Sequence, residues 1–339
     1  MLGENLKAFR ERLGLSQPDF AGWLNDRLSR RYDKQKISGW ERNAERIPQL
    51  VADLIRKEVT GPAVEHGPAL VVAVANQKGG VGKTTTAVNA ASRLAQDGYR
   101  VLLVDADPQA NATMHFGFSP VDLQRQGKTI DTVLRDGTSI EGIIATVGAS
   151  GLDLVPSSIR LSKTEAELMA RPANNFILRK LLAPARAVYD FILIDTPPHL
   201  GQMTLNGLTA CDTVLIPCQT ELMAVVGVEY LLETIAEIRS LCHPTLAVQG
   251  ILPTMYQQRL SQDRESLQDL QRRYAGAMRV FDPVPRATSY AQAFAAGRAL
   301  VEAIPDAPGA AVIRTVVEEM VAERARRVAP RTLEAAHGA

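Results

Sequence analysis

The pattern of apolar positions changes character once along the chain. In residues 1–59 apolar side chains recur every three or four positions, which predicts short amphipathic helices. From residue 70 onward, apolar runs such as ALVVAVANQ and RVLLVDADPQ alternate with helical patterns, and such runs are typical of strands buried in a parallel sheet. Between them, TGPAVEHGPA has two Gly-Pro steps and no apolar period. We therefore predict an all-α domain at 1–59, a linker at 60–69, an α/β domain with a doubly wound, mostly parallel sheet at 70–327, and a disordered tail at 328–339.

The N-terminal region is predicted to contain four or five short helices. The first ends at Gly14, Ser16 caps the second with Asp19 as its capping-box partner, and Pro48 opens a fourth. The apolar residues predicted to share the inner faces of these helices are Leu6, Phe9, Leu13, Phe20, Ala21, Leu24, Leu28, Ile37, Trp40, Leu50, Val51, Leu54 and Ile55.

Two of these helices and the segment WERNAERIP resemble the helix-turn-helix of the Cro/repressor class, although the connection DRLSRRYDK is longer than the usual tight turn. The stretch RLSRRYDKQK carries five basic residues against one acid, and basic groups there would neutralise DNA phosphates. The start of the third helix would enter the major groove and read bases with Lys34, Gln35, Lys36 and Ser38. The alternative is a solvated charged loop on a helical dimerisation module.

The α/β region carries a glycine-rich segment, NQKGGVGKTTTAVN, directly after its first predicted strand. Its glycines allow backbone N–H groups to turn around phosphate oxygens, and the following helix adds its N-terminal dipole. Lys83 would reach the β- and γ-phosphates, and Thr84 would offer its hydroxyl to Mg²⁺. Gln77 stands where the full GxxxxGK[ST] pattern has its first glycine. The alternative is a glycine-rich turn that binds nothing. The predicted ATP-binding residues here are Lys78, Gly79, Gly80, Val81, Gly82, Lys83, Thr84 and Thr85.

The segment KGGVGKTT resembles the deviant Walker A loop of the ParA/MinD superfamily. The resemblance implies that Lys78 reaches across a nucleotide-sandwich homodimer to the partner's phosphates. A buried lysine needs a counter-charge, and ATP on a facing subunit supplies one. RVLLVDADPQANAT and the Walker B-like segment YDFILIDTPPHLGQ extend the resemblance toward the ParA/Soj branch.

Three aspartates follow the strands that flank the phosphate loop. Asp195 ends a buried strand and would hold Mg²⁺ through water. By resemblance, Asp107 orients the attacking water, and Asp105 is either structural or a Mg²⁺ partner. The predicted catalytic residues are Lys78, Lys83, Asp107 and Asp195, and the predicted metal site comprises Thr84, Asp105 and Asp195. Each aspartate taken alone has helix capping as its alternative.

The resemblance also suggests base and DNA contacts in the C-terminal half. It implies that Pro253, Thr254, Met255 and Pro285, at strand ends, contact adenine. It also implies that Arg259 and Arg286 bind DNA without sequence preference. At the position of Ser289 the family has a basic residue, and Arg298 or Arg314 would supply that positive charge in this chain. The alternative for any of these arginines is simple exposure to solvent.

Composition narrows the choice of relatives. The net charge is +1, so any nucleic-acid contact depends on local patches. The nitrogenase iron protein shares the deviant loop but needs cluster-ligating cysteines, and none occurs before Cys211.

The C-terminal AAVIRTVVEEMVAERARR has mixed charge and is predicted to pack on the domain, unlike the membrane-binding helix of MinD proteins. No apolar run reaches the length of a membrane span, so the expected location is cytoplasmic. The resemblance to the ParA/Soj branch further implies association with the nucleoid.

The resemblance to the ParA/Soj branch thus implies an ATP- and Mg²⁺-dependent partition ATPase for a plasmid or chromosome. Its ATP dimer would bind DNA non-specifically, a ParB-type centromere-binding protein would stimulate slow hydrolysis, and the N-terminal module would bind its own operator as an autorepressor. Two alternatives stay open: a nucleoid-tracking ATPase that positions a protein cargo, and a transcriptional regulator that uses ATP as a switch.

Overall fold

A computed structural model describes residues 3–42, 44–45, 47–48, 50–51, 54–55, 67–148, 151–221 and 224–328. Residues 60–66 of the predicted linker and 329–339 of the predicted tail lie outside these ranges, as does most of the predicted fourth helix. The bounds predicted for the domains stay predictions.

The N-terminal part contains three helices, α1 (Gly3–Arg12), α2 (Gln17–Leu28) and α3 (Lys34–Glu41), and residues 50–51 and 54–55 are also helical. Ser16 caps α2 as predicted, because its oxygen accepts a hydrogen bond from the Asp19 N–H at 3.4 Å. The described residues that form the apolar core of this part are Leu6, Phe9, Phe20, Ala21, Leu24, Ile37, Trp40, Ile47, Val51 and Ile55.

Two leucines of this region do not lie where the apolar period places them. Leu13 is 40% exposed because α1 ends at Arg12, so Leu13 no longer follows the helical period. Leu50 is 46% exposed, since Val51 and Ile55, four positions apart, occupy the inner face.

The link between α2 and α3 is held by Asn25, whose side chain accepts a hydrogen bond from the N–H of Tyr32 and donates to its carbonyl.

The α/β part is built on one seven-stranded sheet, with strand order β3-β4-β2-β5-β1-β6-β7. The strands are β1 (Leu70–Val74), β2 (Val101–Asp105), β3 (Ala145–Val147), β4 (Leu152–Val155), β5 (Phe191–Asp195), β6 (Thr213–Gln219) and β7 (Ala247–Thr254). All neighbours pair in parallel except β3, which is antiparallel to β4. The predicted α/β fold with a mostly parallel sheet is confirmed.

Helices cover both faces of this sheet. They are α4 (Lys83–Gln96), α5 (Asn111–His115), α6 (Pro120–Arg125), α7 (Ile130–Asp136), α8 (Leu161–Leu168), α9 (Ile177–Leu182), α10 (Gln202–Ala210), α11 (Ala224–Leu241), α12 (Ser261–Tyr274), α13 (Ser289–Ala295), α14 (Leu300–Ala303) and α15 (Ala310–Val328). Short 3₁₀ turns occupy Ile140–Ile143, Asn174–Phe176 and Ala185–Ala187.

Alternate residues of each strand face two separate apolar layers. In β1, Val71 and Ala73 join the layer shared with α7 to α12, while Leu70, Val72 and Val74 join the layer shared with α4 and α15. Because both faces are covered, the central strands read as continuous apolar runs. The edge where β1, β2 and β5 end is therefore fixed from both sides.

Two local expectations differ from the structure. The apolar pattern of MRVFDPVPR predicts a strand, but this segment forms only isolated bridges at Val280 and Pro285. Pro283 and Pro285 lack the N–H that a continuous ladder requires. Conversely, the sequence did not predict β3. This strand is too short to give an alternating pattern, and its three residues are only partly buried.

The C-terminal helix α15 packs on the sheet as predicted, with Ile313, Val316, Val317 and Met320 buried. Among the described residues, no helix combines the length and the apolar character needed to cross a membrane.

Candidate functional site

The phosphate loop joins β1 to α4 at the carboxyl edge of the sheet. Asn76 anchors it, since its amide donates to the Pro217 carbonyl at 2.7 Å and its side-chain oxygen accepts from the Lys78 N–H at 3.1 Å. Gly80 (φ +75°) and Gly82 (φ +87°) adopt left-handed backbone conformations that a side chain would strain. The loop therefore depends on its glycines, and it delivers the chain to the N-terminus of α4, where anions bind.

Lys83 is buried at the start of α4. Its ammonium donates a hydrogen bond to the Lys78 carbonyl at 2.8 Å, so the side chain folds back along the loop. Burial lowers the pKa of Lys83, while the nearby Asp195 and Asp107 carboxylates oppose that fall. A phosphate in the loop would add the negative charge that favours the protonated amine.

Asp195 ends β5 and is fully buried. Within the described part of the chain, neither of its carboxylate oxygens has a hydrogen bond of ordinary geometry. Burial, followed by the charge of Asp105, raises its pKa well above the usual range, and the nearby Thr84 hydroxyl only partly offsets this. Two unsatisfied oxygens beside a hydroxyl at a phosphate loop fit Mg²⁺ or its coordinated water, and these two residues would hold the ion.

Asp105 pairs in register with Asp195 on the neighbouring strand, but its oxygens are already engaged. One accepts from the Asp107 N–H at 3.2 Å, and the other from the Thr113 N–H and hydroxyl at 2.8 and 2.7 Å. Burial raises its pKa to about 7. These bonds favour the structural alternative for Asp105 over the role of a Mg²⁺ partner.

Asp107 lies two residues beyond β2 and is 6% exposed. One carboxylate oxygen accepts from the Gln109 N–H at 2.9 Å, and its carbonyl accepts from the Ser157 hydroxyl at 2.7 Å. Burial is the main cause that raises the Asp107 pKa, and the hydrogen bond from the Gln109 N–H, followed by the charge of Lys83, opposes that rise. The Lys83 ammonium thus acts electrostatically on the Asp107 carboxylate at this edge of the sheet.

Lys78, the early lysine of the loop, has a partner that the sequence did not indicate. Its ammonium pairs with the Glu221 carboxylate, two residues beyond β6. The Lys78 side chain is 47% exposed, in contrast with the buried Lys83. Lys78 therefore lies at the surface of the single chain, where a second subunit can reach it.

A cavity of about 260 Å³ opens beside the phosphate loop. The predicted residues Thr254, Met255 and Pro285 line it together with Gly82 and Thr85, and Thr254 donates to the Val81 carbonyl at 2.8 Å. Pro253, also predicted, is not among the lining residues. A mostly apolar recess next to a phosphate loop suits a nucleotide base.

Sequence reasoning missed Tyr290 in this cavity. Its ring lines the wall, and its hydroxyl is buried with no hydrogen-bond partner in the described structure. Burial raises its pKa to about 12. A larger cavity of about 690 Å³ lies at the opposite end of β1, near Arg186 and Asp212, away from these groups.

The predicted DNA-binding residues form two separate groups. Lys34, Gln35 and Lys36 are exposed at the first turn of α3, where Asp33 caps the helix and Lys36 pairs with Glu45 at 2.7 Å; Ser38 is half-buried. In the α/β part, Arg259, Arg286 and Arg298 are all exposed. The bridge between Tyr256 and Pro285 brings the segments of the first two together.

Comparison with known proteins agrees with this geometry. Residues 69–248 match the AAA domain family model AAA_31. The chain is 35% identical to the sporulation initiation inhibitor protein Soj of Bacillus subtilis, over 74% of this chain and 98% of that protein. It is 39% identical to the chromosome-partitioning ATPase Soj of Thermus thermophilus, over 74% of this chain and 95% of that protein.

Among solved structures, cobyrinic acid a,c-diamide synthase from Mycobacterium smegmatis is 34% identical, with a TM-score of 0.65, covering 77% of this chain and 96% of that one. That protein was solved with an ATP analogue and magnesium, and with ADP and magnesium. Together, the length and level of these matches show that the chain belongs to the ParA/Soj family of ATPases.

Proposed function

We propose that this protein is a ParA-type partition ATPase that separates copies of a plasmid or chromosome. The observation that carries the proposal is the two-lysine phosphate loop, with Lys83 buried inside it and Lys78 exposed in front of it, in a chain similar to two Soj proteins. The fold alone does not select the function, since folds of this kind host several chemistries.

ATP and Mg²⁺ are the cofactors. The prediction is confirmed by the related structures that hold an ATP analogue, ADP and magnesium. In this chain the glycine loop and Lys83 would hold the phosphates, Thr84 and Asp195 the ion, and the cavity at Thr254 and Pro285 the base. Mg²⁺ supplies charge neutralisation at the phosphates.

ATP would close a sandwich homodimer, because the exposed Lys78 exchanges Glu221 for a phosphate on the partner subunit. The dimer would then present Arg259, Arg286 and Arg298 to DNA without sequence preference. Asp107 would orient the attacking water, and a ParB-type protein would stimulate this slow hydrolysis and release the complex from DNA.

The N-terminal module would make a second, sequence-specific contact with the operator of its own gene. Exposure of Lys34, Gln35 and Lys36 on one helical turn supports this assignment. Base contacts of this kind specify a site, whereas phosphate contacts give affinity without sequence preference.

The test is DNA binding by the purified protein to random duplexes, with ATP and with ADP, across a series of salt concentrations. The ATP form should bind, and its log affinity should fall by about 0.9 per neutralised phosphate for each log unit of salt. Arg286→Ala should flatten that slope, whereas Arg272→Ala, a control at an exposed arginine of α12, should leave it unchanged. A wild-type protein that binds no DNA with ATP would overturn the partition proposal.

A further inference from the structure

The segment that follows β6 places an acidic side chain against the phosphate loop. Glu221 lies two residues beyond the end of β6, and its backbone N–H donates to the Gln219 carbonyl at 2.9 Å. The neighbouring Thr220 is held twice, because its N–H donates to the Thr254 carbonyl at 3.3 Å and its hydroxyl donates to Asp263 Oδ2 at 3.1 Å. The backbone that carries Glu221 is therefore fixed to β7 and to α12.

The backbone of Lys78 is fixed from the side of the phosphate loop. Its N–H donates to the Asn76 side-chain oxygen at 3.1 Å, and its carbonyl accepts from the Lys83 ammonium at 2.8 Å. Lysine carries its charge on a flexible four-carbon stem. A change of partner by the Lys78 ammonium therefore requires only rotation of its side chain, while the loop itself stays in place.

The two side chains meet in front of the phosphate loop, where the Lys78 ammonium pairs with the Glu221 carboxylate. Glu221 Oε1 is buried and has no hydrogen bond of ordinary geometry in the described part of the chain, so the ammonium is its counter-charge. In the single chain the carboxylate thus supplies the negative charge that a phosphate on a second subunit would supply in the dimer.

We propose that Glu221 is an autoinhibitory latch: it holds the Lys78 ammonium on its own subunit and opposes dimerisation until ATP on a second subunit offers a stronger partner. The inference rests on the cross-subunit role proposed above for Lys78. A carboxylate and a triphosphate repel each other, so the ammonium exchanges one for the other instead of bridging both. A symmetric dimer contains this contact twice, and its closure breaks two latches.

The strength of the latch follows from its exposure. The Glu221 side chain is 28% exposed and that of Lys78 is 47% exposed, and an ion pair of this kind changes an equilibrium by up to about fivefold. Because both subunits release Lys78, the two factors multiply. Removal of the latch should therefore lower the dissociation constant of the ATP dimer by roughly three- to twenty-five-fold.

The experiment uses Glu221→Gln, which keeps the size of the side chain and removes its charge. Light scattering over a series of protein concentrations, with Mg²⁺ and a non-hydrolysable ATP analogue, measures the dimer. The variant should dimerise at lower concentration than wild type, stay a monomer without nucleotide, and bind a fluorescent ATP analogue as a monomer with less than about a twofold change in affinity. Glu237→Gln, at an exposed carboxylate near the far end of α11, is the matched control and should dimerise like wild type.

The decisive comparison repeats Glu221→Gln in a Lys78→Ala background. If Glu221 acts through Lys78, its removal should strengthen dimerisation only where Lys78 is present. Dimerisation of Glu221→Gln at or above the wild-type concentration, or an equal gain in the Lys78→Ala background, would overturn the latch. If Lys78→Ala itself formed the ATP dimer like wild type, the cross-subunit role would fail and the latch with it. A defective Lys78→Ala beside an unchanged Glu221→Gln would overturn the latch alone.

Discussion

Removal of Lys78 tests the dimer most directly. In the single chain its ammonium pairs with Glu221, and the two side chains are 47% and 28% exposed. Exposed ion pairs contribute about 0–1 kcal/mol, so Lys78→Ala should lower the free energy of unfolding by less than about 1 kcal/mol. In the proposed dimer the same ammonium donates to a phosphate, and a hydrogen bond to a charged group contributes about 1.5–3 kcal/mol.

The expected consequence is that ATP-driven dimerisation weakens by roughly ten- to a hundredfold for each hydrogen bond between Lys78 and a phosphate that the substitution removes. ATP binding itself should persist, because Lys83 and the glycine backbone are untouched. Light scattering after size-exclusion chromatography with ATP measures the dimer, fluorescent-nucleotide titration measures binding, and urea unfolding measures stability. Lys180→Ala, at an exposed lysine of α9, is the control. An ATP-dependent dimer of Lys78→Ala at the wild-type concentration would refute the cross-subunit role.

Further predictions concern hydrolysis, pH and the N-terminal module. Asp107→Ala should bind ATP, hydrolyse it slowly and stay on DNA, as phosphate release and filter binding measure; wild-type turnover would show that another group orients the water. Burial raises the pKa of Asp105 from 3.8 to about 7 in the nucleotide-free folded chain. Between these two pH values the Asp105 carboxyl is protonated in the folded chain and ionised in the unfolded chain. The free energy of unfolding should therefore fall as pH rises from 3.8 to about 7. Urea unfolding from pH 5 to 8 should show a shallower fall for Asp105→Asn, with some slope left by Asp195, and identical slopes would contradict this origin. Gln35→Ala should cost about 1–3 kcal/mol at one operator sequence and little on random DNA. If footprinting of wild type with ADP and with ATP finds no protected operator, the module has another role.

Features with a local cause could be predicted from the sequence. The phosphate loop follows from glycines and a lysine between an apolar run and a helix, and Ser16 caps α2 through a residue three positions away. The apolar runs predicted β1, β2 and β5 and hence the edge that carries Asp105, Asp107 and Asp195. The same pattern failed at 278–286, where prolines prevent a ladder, and at Leu13, which lies beyond the end of its helix.

By itself, the sequence determined the alternation of strands and helices around the phosphate loop, the loop itself and the aspartates at the strand ends. The tertiary structure alone decided which distant side chains meet: Glu221 with Lys78, and Glu165 with His199. It also decided that Asp105 is engaged by Thr113, whereas the Asp195 oxygens have no hydrogen bond of ordinary geometry among the described residues. The reason is physical, because apolar periodicity and backbone conformation are set within a few residues, whereas ion pairs and buried hydrogen bonds depend on how segments far apart in sequence pack around the sheet.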